Sequence, residues 1–175
     1  MAGSMLNNGD GGDATRMAAK ELRGMVEQAQ ARAVASGNQT AVLIHNKWDA
    51  STTATNERYL RFVIVAERVN IGTETNPNFV WQALGNGSFL SAGAYYWPLS
   101  GKGYNTAFVA TEQLKLGSAS SNNAADWIGI LFNSQGIPVA PSGTLADNPK
   151  FLVAAGTTGS AGLDVTDKEK LLTEG

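Results

Sequence analysis

The residues that could carry chemistry in this chain are few and widely scattered. His45 is the only histidine, and no cysteine occurs, which excludes thiol nucleophiles, disulfides and thiolate metal ligands. His45 lies in an apolar run, where a hydrogen-bonded structural histidine is far more common than a catalytic base. The segment TGSAG has Thr158 where a nucleophile-elbow motif needs its first glycine. We therefore expect no catalytic residues and no enzymatic activity.

Acidic side chains form two loose groups, one near each end of the chain. Calcium takes about six to eight oxygen ligands, but neither group has the spacing of an EF-hand loop. The chain also lacks a P-loop, an H-E-x-x-H motif and a Rossmann glycine pattern. We expect no metal and no cofactor, and interpret the acidic residues as turn and cap residues. They are Asp10, Asp13, Asp147, Asp164, Asp167 and Glu169.

The element that dominates the pattern is a predicted amphipathic helix over residues 13–36. Asp13 is a suitable N-cap, and Gly37 is a typical C-terminal stop. The apolar residues fall on one arc of roughly 120° on a helical wheel, and most of them are alanines. We expect the helix to pack on a sheet through Leu22, Met25, Val26 and Ala29.

After this helix, residues 40–156 read as β-structure interrupted by polar turns. The runs TAVLIHN (residues 40–46) and RYLRFVIVAE (residues 58–67) are rich in β-branched and aromatic side chains, so we expect two strands that pair as a hairpin. Alternation in the second run predicts a strand with one wetter face.

These elements predict a single domain of the α+β class, one long N-terminal helix on antiparallel sheet. The chain of 175 residues is long enough for one sizeable core. Thr166 and Glu169 have the spacing of a capping box, which predicts a short C-terminal helix over about 166–173. Residues 1–12 are expected to be a disordered lead that starts with the remnant of an expression tag, and residues 13–175 the folded domain.

Residues 75–101 form an uncharged stretch that is rich in aromatic side chains. A mostly β domain needs aromatic core residues, and we favour that interpretation. The alternative is a ligand or partner surface, because aromatic side chains provide binding energy at low entropic cost. The candidate residues for such a surface are Tyr95, Tyr96 and Trp97.

Composition limits the classes of partner. The net charge is −2 and no cluster of basic residues stands out, which argues against nucleic acid binding. Charged residues make up 16% of the chain, below the roughly 25% of an average globular protein. Weakly charged polar surfaces of this kind are common outside the cytoplasm. No apolar run approaches the roughly 20 residues of a membrane span, and no signal peptide is visible.

Three segments occur in an order and spacing that resemble a known family. The first is AAKELRGMVEQAQARAVASGN, which a predicted strand follows directly. The residues that define its spacing pattern are Ala19, Leu22, Ala31, Arg32 and Ala33. The second is WQALGNGSFLSAG and the third is IGILFNSQGIP. Together they resemble the type IV pilin-like proteins, and among these the minor pseudopilins of type II secretion systems and related minor pilins.

The resemblance implies a pilin-like fold and a non-catalytic role in filament assembly. In this family the first half of the helix anchors the precursor in the bacterial inner membrane and then packs in the filament core. The implied partners are other pilin or pseudopilin subunits and the inner membrane, through a helix half that this sequence lacks. The implied location is the cell envelope, with a periplasmic or extracellular globular domain that is monomeric when isolated. The alternative is a cell-surface binding module or adhesin that uses residues 75–101.

Overall fold

A computed structural model of the chain describes residues 10–48, 53–97, 106–107, 114–116, 120–122, 127–140, 143–144, 151–159, 162–165 and 172–174. These residues contain a long helix, α1 (Asp10–Ser36), and a short one, α2 (Thr53–Arg58). The strands are β1 (Thr40–His45), β2 (Phe62–Asn70), β3 (Phe79–Ala83), β4 (Ser88–Phe89), β5 (Ala94–Tyr96), β6 (Thr106–Ala107), β7 (Leu114–Leu116), β8 (Ser120–Asn122), β9 (Trp127–Phe132), β10 (Pro138–Val139), β11 (Phe151–Gly159), β12 (Gly162–Val165) and β13 (Leu172–Glu174).

Helix α1 begins at Asp10, before the predicted N-cap Asp13, and ends at Ser36 as predicted. Asp13 lies inside the helix, where its carboxylate is 3.8 Å from the Arg16 guanidinium. Gly37 ends the helix because its φ of 71° is a left-handed conformation that glycine adopts without steric cost. Its N–H donates to the Ala33 carbonyl at 2.9 Å, which satisfies a carbonyl of the last turn.

The predicted hairpin of β1 and β2 forms the centre of the main sheet. The two strands are antiparallel, with Val42 opposite Val65, and β1 pairs on its other side with β9. Among the described residues the main sheet has nine strands in the order β10-β9-β1-β2-β3-β7-β8, with β4 also on β2 and β6 also on β9. The predicted strand over residues 58–67 starts later than expected, at Phe62, because α2 ends at Arg58 and a turn at residues 59–61 follows it.

A second, smaller sheet packs with the first around α1. In the described residues it consists of β11 paired with β12, β13 and β5, all antiparallel. One hydrophobic cluster joins the helix to both sheets, and its helical members are mostly alanines, so the backbones approach closely. The cluster includes Ala18, Leu22, Ala29 and Ala33 from α1, Val42, Val63 and Val65 from the main sheet, and Tyr95, Tyr96, Phe151 and Val153 from the second sheet.

The helix contacts fall on the predicted arc. Leu22 is 2% exposed and Ala29 is fully buried, while Met25 and Val26 are half-buried and pack against the edge of the cluster. The buried hydroxyl of Thr40 donates to the Ala29 carbonyl at 2.8 Å, which ties the start of β1 to the helix. The fold therefore has the predicted arrangement of a front helix on antiparallel sheet.

The central strands of the main sheet are buried on both faces, so the prediction of a wetter face for β2 is wrong. Val63 and Val65 face the helix, whereas Phe62 and Ile64 belong to a second hydrophobic cluster on the opposite face. Trp81 and Trp127, each 2% exposed, belong to this second cluster. The alternation in the sequence separates two apolar faces here rather than an apolar face and a polar one.

The end of the chain differs from its prediction. Residues 172–174 form β13, in which Leu172 lies opposite Val153, so the predicted helix over about 166–173 is wrong at its C-terminal end. Residues 166–171 lie outside the described part of the chain. A helix of this length is marginal by itself, and pairing with β11 gives the backbone of residues 172–174 hydrogen bonds that local spacing cannot reveal.

Candidate functional site: an arginine–aromatic surface

The aromatic residues singled out from the sequence lie mainly in the core. Tyr95 and Tyr96 are 6% and 1% exposed, and Tyr96 packs edge-to-face on Phe151 with ring centroids 5.6 Å apart. Burial raises the pKa of Tyr96 well above its usual range. Trp97 is half-buried, and its backbone N–H donates to the Leu152 carbonyl at 2.8 Å. Tyr95 and Tyr96 therefore do not form the candidate partner surface.

A different aromatic residue of the same stretch is exposed. Phe89, on β4, is 47% exposed although its backbone pairs with β2 opposite Phe62. Arg61, just before β2, lies over the Phe89 ring, and Arg58, at the end of α2, lies over Phe62, whose ring contacts that of Phe89. We call Arg58, Arg61 and Phe89, with Phe62 and Tyr95 beneath them, the arginine–aromatic surface.

The two guanidinium groups in this surface are stacked on aromatic rings. The Cζ atom of Arg58 is 5.0 Å from the ring centroid of Phe62. The Cζ atom of Arg61 is 5.5 Å from the centroid of Tyr95 and 6.0 Å from that of Phe89. Phe62 and Phe89 contact each other edge-to-face at 5.1 Å. Cation–π contacts at these distances fix the direction of an arginine side chain while its positive charge remains available to a partner.

A strained turn places the two arginines. Leu60 has a φ of 55°, a left-handed conformation that costs a non-glycine residue roughly 1–2 kcal/mol. Its backbone N–H donates to the His45 carbonyl and its carbonyl accepts from the Tyr96 N–H, both at 2.8 Å. The side chain is 1% exposed, and burying a leucine contributes about 1.5–3 kcal/mol, which offsets the strain. Two backbone hydrogen bonds and the buried Leu60 side chain thus stabilise the turn, and Arg58 and Arg61 flank it.

Arg58 and Arg61 take part in no ion pair within the described part of the chain. Its ion pairs join Arg16 to Asp13, Arg23 to Glu27 and Arg32 to Glu67, and none includes Arg58 or Arg61. Arg61 donates from Nη2 to the Leu90 carbonyl at 3.3 Å. Its Nε is buried and has no hydrogen-bond partner among the described residues. Because Arg58 is exposed and has no ion pair within the described residues, the surface suits a carboxylate next to an apolar side chain.

The sequence contains a signal for this surface that composition alone does not reveal. Arg58 and Arg61 belong to the run RYLRF, in which basic and aromatic residues are interleaved. As a strand, this run would send alternate side chains to opposite faces. The turn at Leu60 breaks that alternation, and Phe89 joins through sheet pairing that the sequence does not show.

Two groups of polar contacts fix α1 on the rest of the fold. The buried carboxylate of Glu67 accepts from Arg32 and from Asn38, each at 2.8 Å. Burial by itself would raise the pKa of Glu67, but hydrogen bonds from Asn38, Ser36 and Arg32 and the charge of Arg32 hold it below its usual range. Nearer the front of the helix, the carboxylate of Glu21 accepts from the backbone and the hydroxyl of Ser91, at 3.2 and 3.1 Å.

The other candidate residues form no metal-binding group within the part of the chain that the structure describes. His45 is 8% exposed at the end of β1, with its ring edge-to-face on Trp127 at 5.1 Å. Asp164 lies on β12 and Asp10 on α1, two elements far apart along the chain. Asp147, Asp167 and Glu169 lie outside the described residues. Where the chain is described, no group of three or more histidine or acidic side chains could hold a metal ion.

An open cleft lies between α1 and the loop that follows β3. It measures about 200 Å³ and is lined by Met25, Gln28, Val63, Val65, Leu84 and Ser88. Ligand pockets usually measure roughly 300–1,000 Å³, so this cleft has room for a single side chain rather than for a typical small molecule.

Comparisons of the chain with protein-family models, with curated proteins and with solved structures find no match. Neither helix in the described residues is long and apolar enough to cross a membrane.

Proposed function

We propose that the chain is the globular part of a structural subunit of a type IV pilus-like filament or a type II secretion pseudopilus. The observation that carries the proposal is the front helix. It lies against both sheets through a stripe made largely of alanines, and a short turn leads from it into the central strand β1. A helix packed in this way would attach a preceding helical segment rigidly to the domain.

The anchoring of α1 supports this role. Leu22 and Ala29 bury one side of the helix, while Glu21 and Arg32 each bond to a group outside it, Ser91 and Glu67. A load applied along the helix would therefore be shared between packing and two polar contacts to separate parts of the fold. Such coupling suits a subunit that transmits force through its helix.

The proposal includes the absence of catalysis and a place in the bacterial cell envelope. The precursor would be anchored in the inner membrane by an apolar helical segment continuous with α1, with the described domain in the periplasm or outside the cell. Its partners would be other pilin or pseudopilin subunits. A second candidate function is a cell-surface binding module, favoured by the arginine–aromatic surface, which keeps two stacked guanidiniums and a half-exposed phenylalanine at the sheet end.

The coding sequence upstream of α1 tests the proposal. We expect a leader-peptidase motif followed by roughly 20 apolar residues that continue into the helix without a break. An upstream region that encodes a separate folded domain, or no apolar segment at all, would refute the filament role and favour the binding module.

A further inference from the structure

The hairpin between β2 and β3 ends in an exposed loop. All eight residues of 71–78, which we call the tip loop, are exposed. The loop holds one large apolar side chain, Ile71, which is 50% exposed, and one carboxylate, Glu74. A loop that projects a carboxylate and an apolar side chain into solvent has the composition of a docking element.

Internal hydrogen bonds hold the tip loop in one conformation. The side-chain Oδ1 of Asn70 accepts from the N–H groups of Gly72 and Asn78, both at 2.9 Å, and the Ile71 N–H donates to the Asn78 carbonyl at 2.8 Å. Across the loop, the Asn76 N–H donates to the Thr73 hydroxyl at 3.1 Å. A Cβ on Gly72 would lie 2.3 Å from the Asn76 carbonyl oxygen, so this close packing requires glycine. The loop is preorganised, and preorganisation lowers the entropic cost of binding.

The tip loop and the arginine–aromatic surface lie at opposite ends of strand β2. The strand runs from Phe62, in the surface, to Asn70, at the base of the loop. Eight steps of about 3.3 Å separate these residues by roughly 26 Å. A loop on this strand therefore cannot reach the surface of its own copy, but it can reach that of a second copy placed end to end.

The two features are complementary in charge and in apolar character. Glu74 lies outside the ion pairs of the described residues, as do Arg58 and Arg61. Ile71 and Phe89 are among the most exposed large apolar side chains of the described chain. A polyanion such as nucleic acid fits less well, because the surface offers two guanidiniums rather than a basic stripe.

We infer that the tip loop of one copy docks on the arginine–aromatic surface of the next, with Glu74 between Arg58 and Arg61 and Ile71 against Phe89. The contact joins different surfaces of the two copies. It is therefore heterologous, and its repetition produces an open array or a ring rather than a closed two-fold dimer. The inference rests on the proposed function, because it identifies the partner of the arginine–aromatic surface as a neighbouring subunit.

Thiol crosslinking tests the contact, since the chain has no cysteine of its own. One variant, Thr75→Cys, carries the thiol on the tip loop, and a second, Ala92→Cys, carries it next to the segment that Arg61 contacts. The two are mixed at about 1 mM, which matches the effective concentration of tethered neighbours, and treated with a short bis-maleimide. The control replaces Ala92→Cys by Val34→Cys, a thiol at a 62% exposed position on α1. We expect the Thr75–Ala92 heterodimer to exceed the control about fivefold.

Charge reversal identifies the groups that hold the contact. Glu74→Arg on the tip-loop variant should lower the heterodimer yield about fivefold, the range expected for exposed charge pairs. Arg58→Glu with Arg61→Glu on the Ala92→Cys partner should restore the yield when mixed with Glu74→Arg. Because Glu74 is exposed, its replacement tests the contact even if the double arginine variant does not fold. A heterodimer yield equal to the control, or one that Glu74→Arg leaves unchanged, overturns the inference.

This outcome is separable from that of the proposed function. Crosslinking that follows the charges, in a protein whose gene encodes no upstream apolar helix, would establish the contact and refute the filament role. An upstream apolar helix with crosslinking at the control level would leave the filament role standing and refute the tip-loop contact.

Discussion

Replacing Leu22 by alanine removes the largest apolar side chain by which α1 enters the core. Leu22 is 2% exposed and belongs to the cluster that joins the helix to both sheets. Truncating a buried leucine to alanine usually costs about 2–5 kcal/mol, the lost transfer free energy plus a cavity term. The flanking alanines of α1 cannot fill the space, so we expect a loss of about 3 kcal/mol in the free energy of unfolding.

Urea denaturation followed by tryptophan fluorescence measures this loss. With a denaturant slope of about 2 kcal/mol per molar, the midpoint of Leu22→Ala should fall by about 1.5 M. The matched control is Met17→Ala, because Met17 is on the same helix but 59% exposed, and we expect its stability to change by less than about 0.5 kcal/mol. A loss below about 1 kcal/mol for Leu22→Ala, or equal losses for both variants, would mean that α1 does not pack through this face.

Three further predictions concern the buried carboxylate of Glu67, the association state of the domain and calcium binding. Glu67→Gln should lower the free energy of unfolding by about 1–3 kcal/mol at pH 7. The difference from wild type should shrink as the pH falls below 4.5, because the stabilisation from a carboxylate with a lowered pKa is lost on protonation. A difference that is independent of pH down to acid unfolding would contradict this prediction. The isolated domain should sediment as a monomer at micromolar concentration, and a tight oligomer there would point to another mode of assembly. Calorimetric titration with calcium should show no micromolar affinity, and the melting temperature should be the same with and without chelator; binding or a drop of several degrees would mean that the C-terminal carboxylates converge on an ion.

The helix and the central hairpin could be predicted because their determinants are local. Gly37 stops α1, and the apolar arc of the helix selects Leu22 and Ala29 for burial. The run over residues 40–46 became β1 (Thr40–His45), since continuous β-branched residues are typical of a buried strand. In each case the local pattern that forms the element also determines which of its residues are buried.

Two features depend on residues that are distant in the sequence: the burial of the second face of the main sheet and the structure at the end of the chain. Phe62 and Ile64 are buried by a cluster that includes Trp127 from a strand far along the chain. Leu172 is placed by its pairing with Val153 rather than by its neighbours. Local sequence patterns do not identify these distant partners. The predictions of a solvent-exposed face for β2 and of a C-terminal helix were therefore wrong.

The candidate site likewise has one part that the sequence indicated and another that it did not. The stretch over residues 75–101 contains core residues, Tyr95 and Tyr96, and also the half-exposed Phe89. The arginines that complete the surface were not predicted, because their placement depends on the left-handed turn at Leu60. A leucine in that conformation has no sequence signature.

The proposed role as a filament subunit can be tested on filaments sheared from cells that encode the protein, separated by sedimentation and analysed by mass spectrometry. We expect peptides of α1 and of the β-sheets in the filament fraction, together with a mature N-terminus created by removal of a leader. A protein found only in the non-sedimenting fraction, with its N-terminus unprocessed, would contradict it.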